Sequence, residues 1–169
     1  MAGSLNRSSC HNKYKRHRIQ SMNMKDFFIS YNSADKERAE WIAWQLDAAG
    51  YTTVIQAWDF GPGQNFVLAM QQAATEAKRT IAVLSPNYLG SKFTAPEWAA
   101  AFAQDPTGEK RLLLPIRVKP VVLTGLLAPI VYIDLVGSTD EGVAIKRLLD
   151  GVSLARKKPL IAPDFNNLF

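Results

Sequence analysis

The chain is predicted to be a single α/β domain built around a mainly parallel sheet. Strand-like and helix-like patterns alternate along the sequence, which is typical of doubly wound α/β proteins. The segment Thr80 to Leu84 is apolar on both faces, as expected of an interior strand that helices cover on each side. A length of 169 residues with 47% hydrophobic content suits one domain with one buried core.

The first strand and helix follow from a buried run and the polar residues that end it. The segment DFFISY, residues 26–31, is aromatic and β-branched and leads into Asn32 and Ser33, which predicts a strand followed by a helix cap. From Asp35 onward, apolar residues recur on one helical face until Gly50. This pattern predicts a helix with a start signal and a stop signal.

The remaining elements are predicted by the same periodicities. Three further strands are predicted at Thr52 to Gln56, Leu112 to Val118 and Ile130 to Leu135, and three further helices at Phe66 to Ala77, around Glu97 to Phe102 and at Glu141 to Leu149, the last closed by Gly151. The connection Lys119 to Pro129 is short for a parallel crossover, so whether it holds a helix stays open.

The positive charge of the chain belongs to its beginning. Six of the 20 Lys and Arg residues and none of the 15 Asp and Glu residues lie in residues 1–25. The rest of the chain therefore contains 14 basic and 15 acidic residues, a net charge of about −1. We expect residues 1–24 to form a disordered basic tail and residues 152–169 to form a linker toward a further module. The charge therefore gives no reason to expect nucleic-acid or membrane binding by the folded body.

The tail also holds residues that would otherwise suggest specific chemistry. Cys10, His11 and His17 are the only cysteine and histidines, which excludes a Ser-His-Asp or Cys-His pair and a Cys/His zinc site from the body. No metal site is expected, and one cysteine without a partner favours a cytoplasmic protein. Chemistry in the body must use carboxylates, hydroxyls, cations or the backbone.

The expected ligand site follows from the strand order. If the sheet is a flavodoxin-like three-layer sandwich with the order 2-1-3-4-5, ligands bind beyond the carboxyl ends of the first and third strands. The loop Tyr31 to Ser33 and the segment Ser85 to Glu97 would meet there. The loop Gly61-Pro62-Gly63 follows the second strand and lacks the third glycine of a dinucleotide-binding fingerprint, so a redox site is not expected.

Three motifs in order resemble the TIR (Toll/interleukin-1 receptor) domain family. DFFISYNSAD, residues 26–35, resembles its first motif, and AWDFGPGQNF, residues 57–66, resembles its central loop. SPNYLGSKFTAPEW, residues 85–98, resembles the segment that carries the catalytic glutamate of bacterial, NAD-cleaving members. The resemblance spans about residues 25–151 and departs from many relatives at Phe93, where Trp is frequent, and in the Asp-Phe-Gly of the central loop.

The resemblance implies that Glu97 is catalytic and that NAD is a substrate, not a recycled cofactor. Taken alone, Thr94-Ala95-Pro96-Glu97 also fits a capping box, with Glu97 at the third helical position. The two roles are compatible, because the helix dipole keeps a carboxylate in the first turn ionised. An ionised carboxylate stabilises the sugar cation that develops as the nicotinamide–ribose bond breaks.

The supporting residues have structural alternatives. The resemblance implies that Tyr31, Asn32 and Ser33 touch the nucleotide, although Asn32 and Ser33 equally suit a helix cap. Phe93 could stack on the substrate or pack in the core, and Phe60 could reach the site or contact another protein.

The expected function is therefore an NAD glycohydrolase that makes nicotinamide and ADP-ribose or a cyclic isomer. The family implies immune signalling and activation through TIR–TIR self-association. The alternative is a TIR scaffold that associates without catalysis. A third hypothesis is a nucleoside deoxyribosyltransferase of similar architecture.

Overall fold

A computed structural model describes residues 24–91 and 95–158, with the backbone alone for residues 95–97. Within these residues the strands are β1 Lys25–Ser30, β2 Thr53–Ile55, β3 Ala77–Leu84, β4 Leu113–Arg117 and β5 Ile133–Asp134. The helices are α1 Lys36–Ala48, α2 Gln56–Asp59, α3 Phe66–Glu76, α4 Pro86–Gly90, α5 Ala95–Gln104 and α6 Glu141–Val152. Short 3-10 turns occupy Ser33–Asp35 and Gly125–Leu127.

The strands form one parallel sheet in the order β2-β1-β3-β4-β5, which confirms the predicted topology. β3 begins at Ala77, earlier than the predicted Thr80, because its first residues pair with the start of β1, where Lys25 lies opposite Ala77. β5 is shorter than predicted, since only Ile133 and Asp134 pair with β4. The connection before β5 holds one 3-10 turn and no longer helix.

Side chains that alternate along β1 divide the core between the two faces of the sheet. Phe27, Ile29 and Tyr31 pack on the face covered by α1 and α6, whereas Phe28 packs on the opposite face against Met70 of α3. α5 covers the same face as α3, where Ala101 is buried with residues of β3 and β4. The result is the predicted three-layer sandwich, because consecutive strand residues point to opposite faces.

The end of α6 corrects one prediction. Gly151 does not close the helix but lies inside it, and Val152 is a helical residue buried in the core. A Cβ atom on Gly151 would overlap the side chain of Ile133 in β5. Glycine is therefore required here by close helix–strand packing. The folded unit extends at least one residue into the predicted linker.

None of the helices in the described ranges combines the length and the apolar character that crossing a membrane requires.

Candidate active site at the carboxyl edge of the sheet

The candidate site lies where β1 and β3 end, at the point where the strand order reverses. The chain leaves β1 into the Tyr31–Asp35 loop and leaves β3 into Ser85 and α4, so both loops meet at the same edge. α5 precedes β4 in a parallel sheet, which places the start of α5 at this carboxyl edge as well.

Glu97 is the third residue of α5, so its backbone belongs to the first turn at this edge. That position agrees with the helical register expected from the sequence. Phe93 and Thr94 lie outside the described residues, and so does the side chain of Glu97, so their predicted roles stay predictions.

A buried carboxylate that the sequence did not single out stands beside the switch point. Asp35 is 1% exposed, and its side chain forms no hydrogen bond to the start of α1, the cap position expected for an acid there. Its Oδ1 lies 2.6 Å from Nζ of Lys119, and its Oδ2 accepts a short hydrogen bond from the Ser85 hydroxyl. Asp35 therefore joins the chain segments that follow β1, β3 and β4.

The short helix α4 is fastened to the end of β1. The Ser85 hydroxyl accepts a hydrogen bond from the Tyr88 backbone N–H at 3.1 Å, which caps α4. The Tyr88 hydroxyl donates to Oγ of Ser30 at 3.0 Å, and both residues are buried. The Asn32 side-chain amide donates to the Asn87 carbonyl at 3.4 Å. The position of α4 is thus set by contacts from β1 and its loop.

The predicted contacts in the loop after β1 have different surroundings. Tyr31 is buried on the face of the sheet that α1 and α6 cover, opposite the face that α5 covers. Burial and the charge of Glu40 raise the pKa of its phenol. Asn32 accepts a hydrogen bond from the Ala34 backbone N–H at 3.0 Å, which supports the capping interpretation of this residue. Ser33 is exposed at the rim. Ser33 is therefore the member of this trio whose side chain is most accessible to a ligand.

Phe60 packs at the start of α3. Its ring meets that of Phe66 edge-on, with the ring centroids 6.2 Å apart, and it contacts the cluster around Phe28. The turn that follows is exposed, and the Gly61 backbone N–H donates to the Gln64 side chain at 3.1 Å. Phe60 thus anchors the central loop on the same face of the sheet as α5.

The comparisons with known proteins agree with this architecture. A family model described as "TIR domain" matches residues 27–149. Because the match covers most of the chain, the chain belongs to the TIR domain family. A comparison with curated protein sequences finds no match.

Solved structures of TIR-containing proteins are similar in fold. The TIR domain of the Toll-related receptor TRR-2 from Hydra magnipapillata is 22% identical, with 76% of this chain and 98% of that chain covered and a TM-score of 0.63. A TIR-STING receptor from C. gigas in complex with 2',3'-cGAMP is 25% identical, with 77% and 41% covered and a TM-score of 0.60. The TIR domains of the activated Roq1 resistosome are 17% identical, with 76% and 99% covered and a TM-score of 0.61.

Asp35 and Lys119 are the residues that sequence reasoning missed. Asp35 resembled an ordinary acid at a helix start, and Lys119 followed an apolar strand run without a motif. The one available signal was position, since both residues follow strands whose carboxyl ends meet at the predicted ligand edge. Among the described residues there is no cluster of three or more His, Cys, Asp or Glu side chains suited to a metal ion.

Proposed function

We propose that this TIR domain is an NAD glycohydrolase in which Glu97 is the catalytic carboxylate. The observation that carries the proposal is the place of Glu97, in the first turn of α5 at the carboxyl edge, beside the reversal of strand order. Ligands of open α/β sheets bind at this position. The resemblance of residues 85–98 to the glutamate-bearing segment of NAD-cleaving relatives supports the same residue.

The chemistry needs one carboxylate at the ribose. As the bond between C1′ of the ribose and the nicotinamide nitrogen breaks, the electron pair goes to the ring nitrogen and positive charge develops on the sugar. Glycosidases pair the carboxylate with an acid that protonates the leaving group. Nicotinamide leaves from a cationic ring and becomes neutral, so no acid is required. Water then adds to C1′ and releases a proton, which gives ADP-ribose. A hydroxyl or adenine nitrogen of the same molecule would give a cyclic isomer instead.

The place of Glu97 in the first turn of α5 supports the expectation that its carboxylate is ionised. A carboxylate in the first helical turn is stabilised by the partial positive charge of the helix N-terminus. The capping box predicted from the sequence would also hold the side chain in one orientation.

The deciding experiment is Glu97→Gln assayed for nicotinamide release from NAD. Gln keeps the length of the side chain and is accepted in a capping box, so the fold and its unfolding temperature should be nearly unchanged. Loss of the charge should slow cleavage by about 100 to 1,000-fold. Glu109→Gln, at an exposed position after α5, is the matched control and should cleave NAD at the parent rate. A Glu97→Gln protein that is folded and cleaves NAD at the parent rate would remove Glu97 from the mechanism.

Self-association is proposed as the activating step. The central loop Asp59 to Asn65 leads into Phe66, Val67 and Leu68, three exposed apolar residues at the start of α3. Such a surface is costly in water and suits a contact with a second TIR domain. A contact that orders the loop would also lower the entropic cost of binding substrate. We place this activity in cytoplasmic immune signalling, as the resemblance to bacterial TIR proteins implies.

Specific activity should therefore rise with protein concentration. Val67→Glu should shift the association, measured by sedimentation, to higher concentration and lower the activity at a fixed concentration. Val143→Glu is the control, because Val143 is similarly exposed but lies on α6. Specific activity that stays constant over a wide range, with a monomer throughout, contradicts activation by association. A protein that associates through Val67 but never releases nicotinamide would instead be a TIR scaffold, which is the second candidate function.

A further inference from the structure

Asp35 is a buried carboxylate, although the packing of the core does not require a carboxylate at this position. An ionised carboxylate removed from water is destabilising unless a cation and hydrogen-bond donors compensate it. Lys119 and Ser85 supply this compensation, although they lie far along the chain. The side chain of Lys119 is 29% exposed, so the ammonium group reaches inward from the rim of the site.

The Ser85 hydroxyl has both of its hydrogen-bonding roles fixed by this arrangement. It donates to Oδ2 of Asp35 and accepts from the Tyr88 backbone N–H. The donor direction depends on Oδ2 of Asp35 being in place, and Lys119 holds the same side chain through Oδ1. Through Ser85, the first turn of α4 is therefore coupled to the Asp35–Lys119 ion pair. Tyr88 and Asn32 hold the same helix from the side of β1.

We propose that Asp35, Ser85 and Lys119 form a positioning network that fixes α4 and, through it, the first turn of α5 that carries Glu97. This inference rests on the proposed NAD cleavage. Tyr88 of α4 is buried in one core cluster with Ala101 of α5, and Trp98 of α5 packs against the same cluster, so the position of α4 affects how the start of α5 is held. Asp35, Ser85 and Lys119 act through this packing and need no contact with the substrate. Their loss should lower the rate of the chemical step more than the affinity for NAD.

The first test is a comparison of Lys119→Met and Ser85→Ala with the parent protein at saturating and limiting NAD. Both variants should lower kcat by roughly tenfold or more, because small misplacements of reacting groups reduce rates steeply. KM should stay within about twofold, since binding energy is retained when only the reacting geometry is disturbed. Lys119→Arg keeps the charge near Asp35 and should recover most of the kcat.

Lys78→Met is the matched control. Lys78 also pairs with an aspartate, Asp26, but at the amino edge of the sheet, away from α4. This variant should retain the parent kcat. If folded Lys119→Met and Ser85→Ala proteins show the parent kcat, or a raised KM with an unchanged kcat, the positioning role is wrong. A loss of kcat in Lys78→Met equal to that in Lys119→Met would also overturn it, since the effect would then reflect general stability.

A second measurement separates this inference from the proposed function. Backbone amide hydrogen exchange in α4 and the first turn of α5 should accelerate in Ser85→Ala and in the Asp35→Asn/Lys119→Met double variant, while exchange in α6 stays unchanged. The double variant avoids an unpaired buried charge, so it replaces Lys119→Met in this measurement if the single variant fails to fold. A parent protein without NAD cleavage but with this exchange pattern would refute the function and keep the network. Unchanged exchange in α4 and α5 would refute the network itself.

Discussion

Two aspartate–lysine pairs lie at opposite ends of β1, and their surroundings differ. At the amino edge, Nζ of Lys78 lies 2.8 Å from Oδ1 of Asp26, with the two side chains 56% and 26% exposed. At the carboxyl edge, Lys119 and Asp35 are 2.6 Å apart, with side chains 29% and 0% exposed. The same two residue types therefore form a solvated pair at one edge and a buried one at the other.

The contacts at the amino edge connect neighbouring elements of the sheet. Asp26 accepts hydrogen bonds from the backbone N–H and the hydroxyl of Thr52, which precedes β2, while Lys78 belongs to β3. Arg79 donates to the Val152 carbonyl at 2.6 Å and so satisfies an acceptor at the end of α6. These contacts join elements to one another and involve no part of the candidate site. An ion pair must therefore be judged by its burial and by the elements that it connects.

The largest expected effect is a difference in stability between two identical substitutions. Lys119→Met leaves the buried Asp35 carboxylate without its cation, which should lower the free energy of unfolding by about 3–5 kcal/mol. Lys78→Met leaves a carboxylate that water and Thr52 still solvate, and should cost about 1 kcal/mol or less. Chemical denaturation of both variants checks this. Equal losses would mean that burial does not distinguish the two edges.

An intermediate effect is expected from Gly151→Ala, which tests the packing of α6 against β5. The new methyl group would overlap Ile133, whose β-branched side chain has little freedom to move away. Overpacking costs about 1–3 kcal/mol, which should exceed the gain of up to about 1 kcal/mol from replacing a helical glycine. Thermal unfolding should show a lower midpoint for this variant.

Two further variants test whether the overlap with Ile133 causes the loss. Gly61→Ala should leave the midpoint nearly unchanged, because a Cβ on Gly61 meets nothing within 4 Å. Adding Ile133→Ala to Gly151→Ala should remove the interaction, so the two substitutions should not be additive. Additive losses would show that overlap with Ile133 is not the cause.

The smallest effect is the pH dependence contributed by Asp26. The hydrogen bond from Lys78 lowers the pKa of Asp26 below its ordinary value, and the bonds from Thr52 act in the same direction against the effect of burial. Its stabilisation is therefore complete above the ordinary aspartate pKa of about 4 and is lost as the pH falls through the lower folded value.

Asp26→Asn should cost about 1 kcal/mol at pH 7 and make the loss of stability below pH 4 less steep. Urea denaturation at several pH values measures this, and NAD cleavage at pH 7 should not change. An acid unfolding profile identical to that of the parent would exclude Asp26 from the pH dependence.

The sequence predicted those features that depend on local pattern. The parallel sheet and its order were correct, because they follow from periodicity and from the alternation of elements. The predicted strands and helices lie in the predicted places, but β3 begins earlier, β5 is shorter, and the short helices α2 and α4 were not predicted. The end of α6 was wrong because the reason for Gly151 lies in Ile133, a tertiary neighbour that no local pattern reveals. The burial of Tyr31 could have been predicted from the sequence, since a period of two puts its side chain on the same face as Phe27 and Ile29.

The sequence predicted the location of the candidate site better than it predicted the residues that form it. The edge of the sheet and the helical position of Glu97 followed from strand order and capping chemistry. The pairing of Asp35 with Lys119 could not be predicted, because it depends on two loops being brought together by the completed sheet.

The parallel sheet also has a consequence for synthesis on the ribosome. β1 is made first, yet it pairs with β3, and Arg79 of β3 donates a hydrogen bond to the carbonyl of Val152 at the end of α6. No strand pair within the described residues is a local hairpin, so each pairing closes a long loop before it gains contacts. A nascent chain that has not yet exposed α6 therefore leaves uncovered the part of the apolar face of β1 and β3 that Leu148 and Val152 later cover, at risk of aggregation. We expect the domain to complete its fold in one late step, after Val152 has left the ribosome.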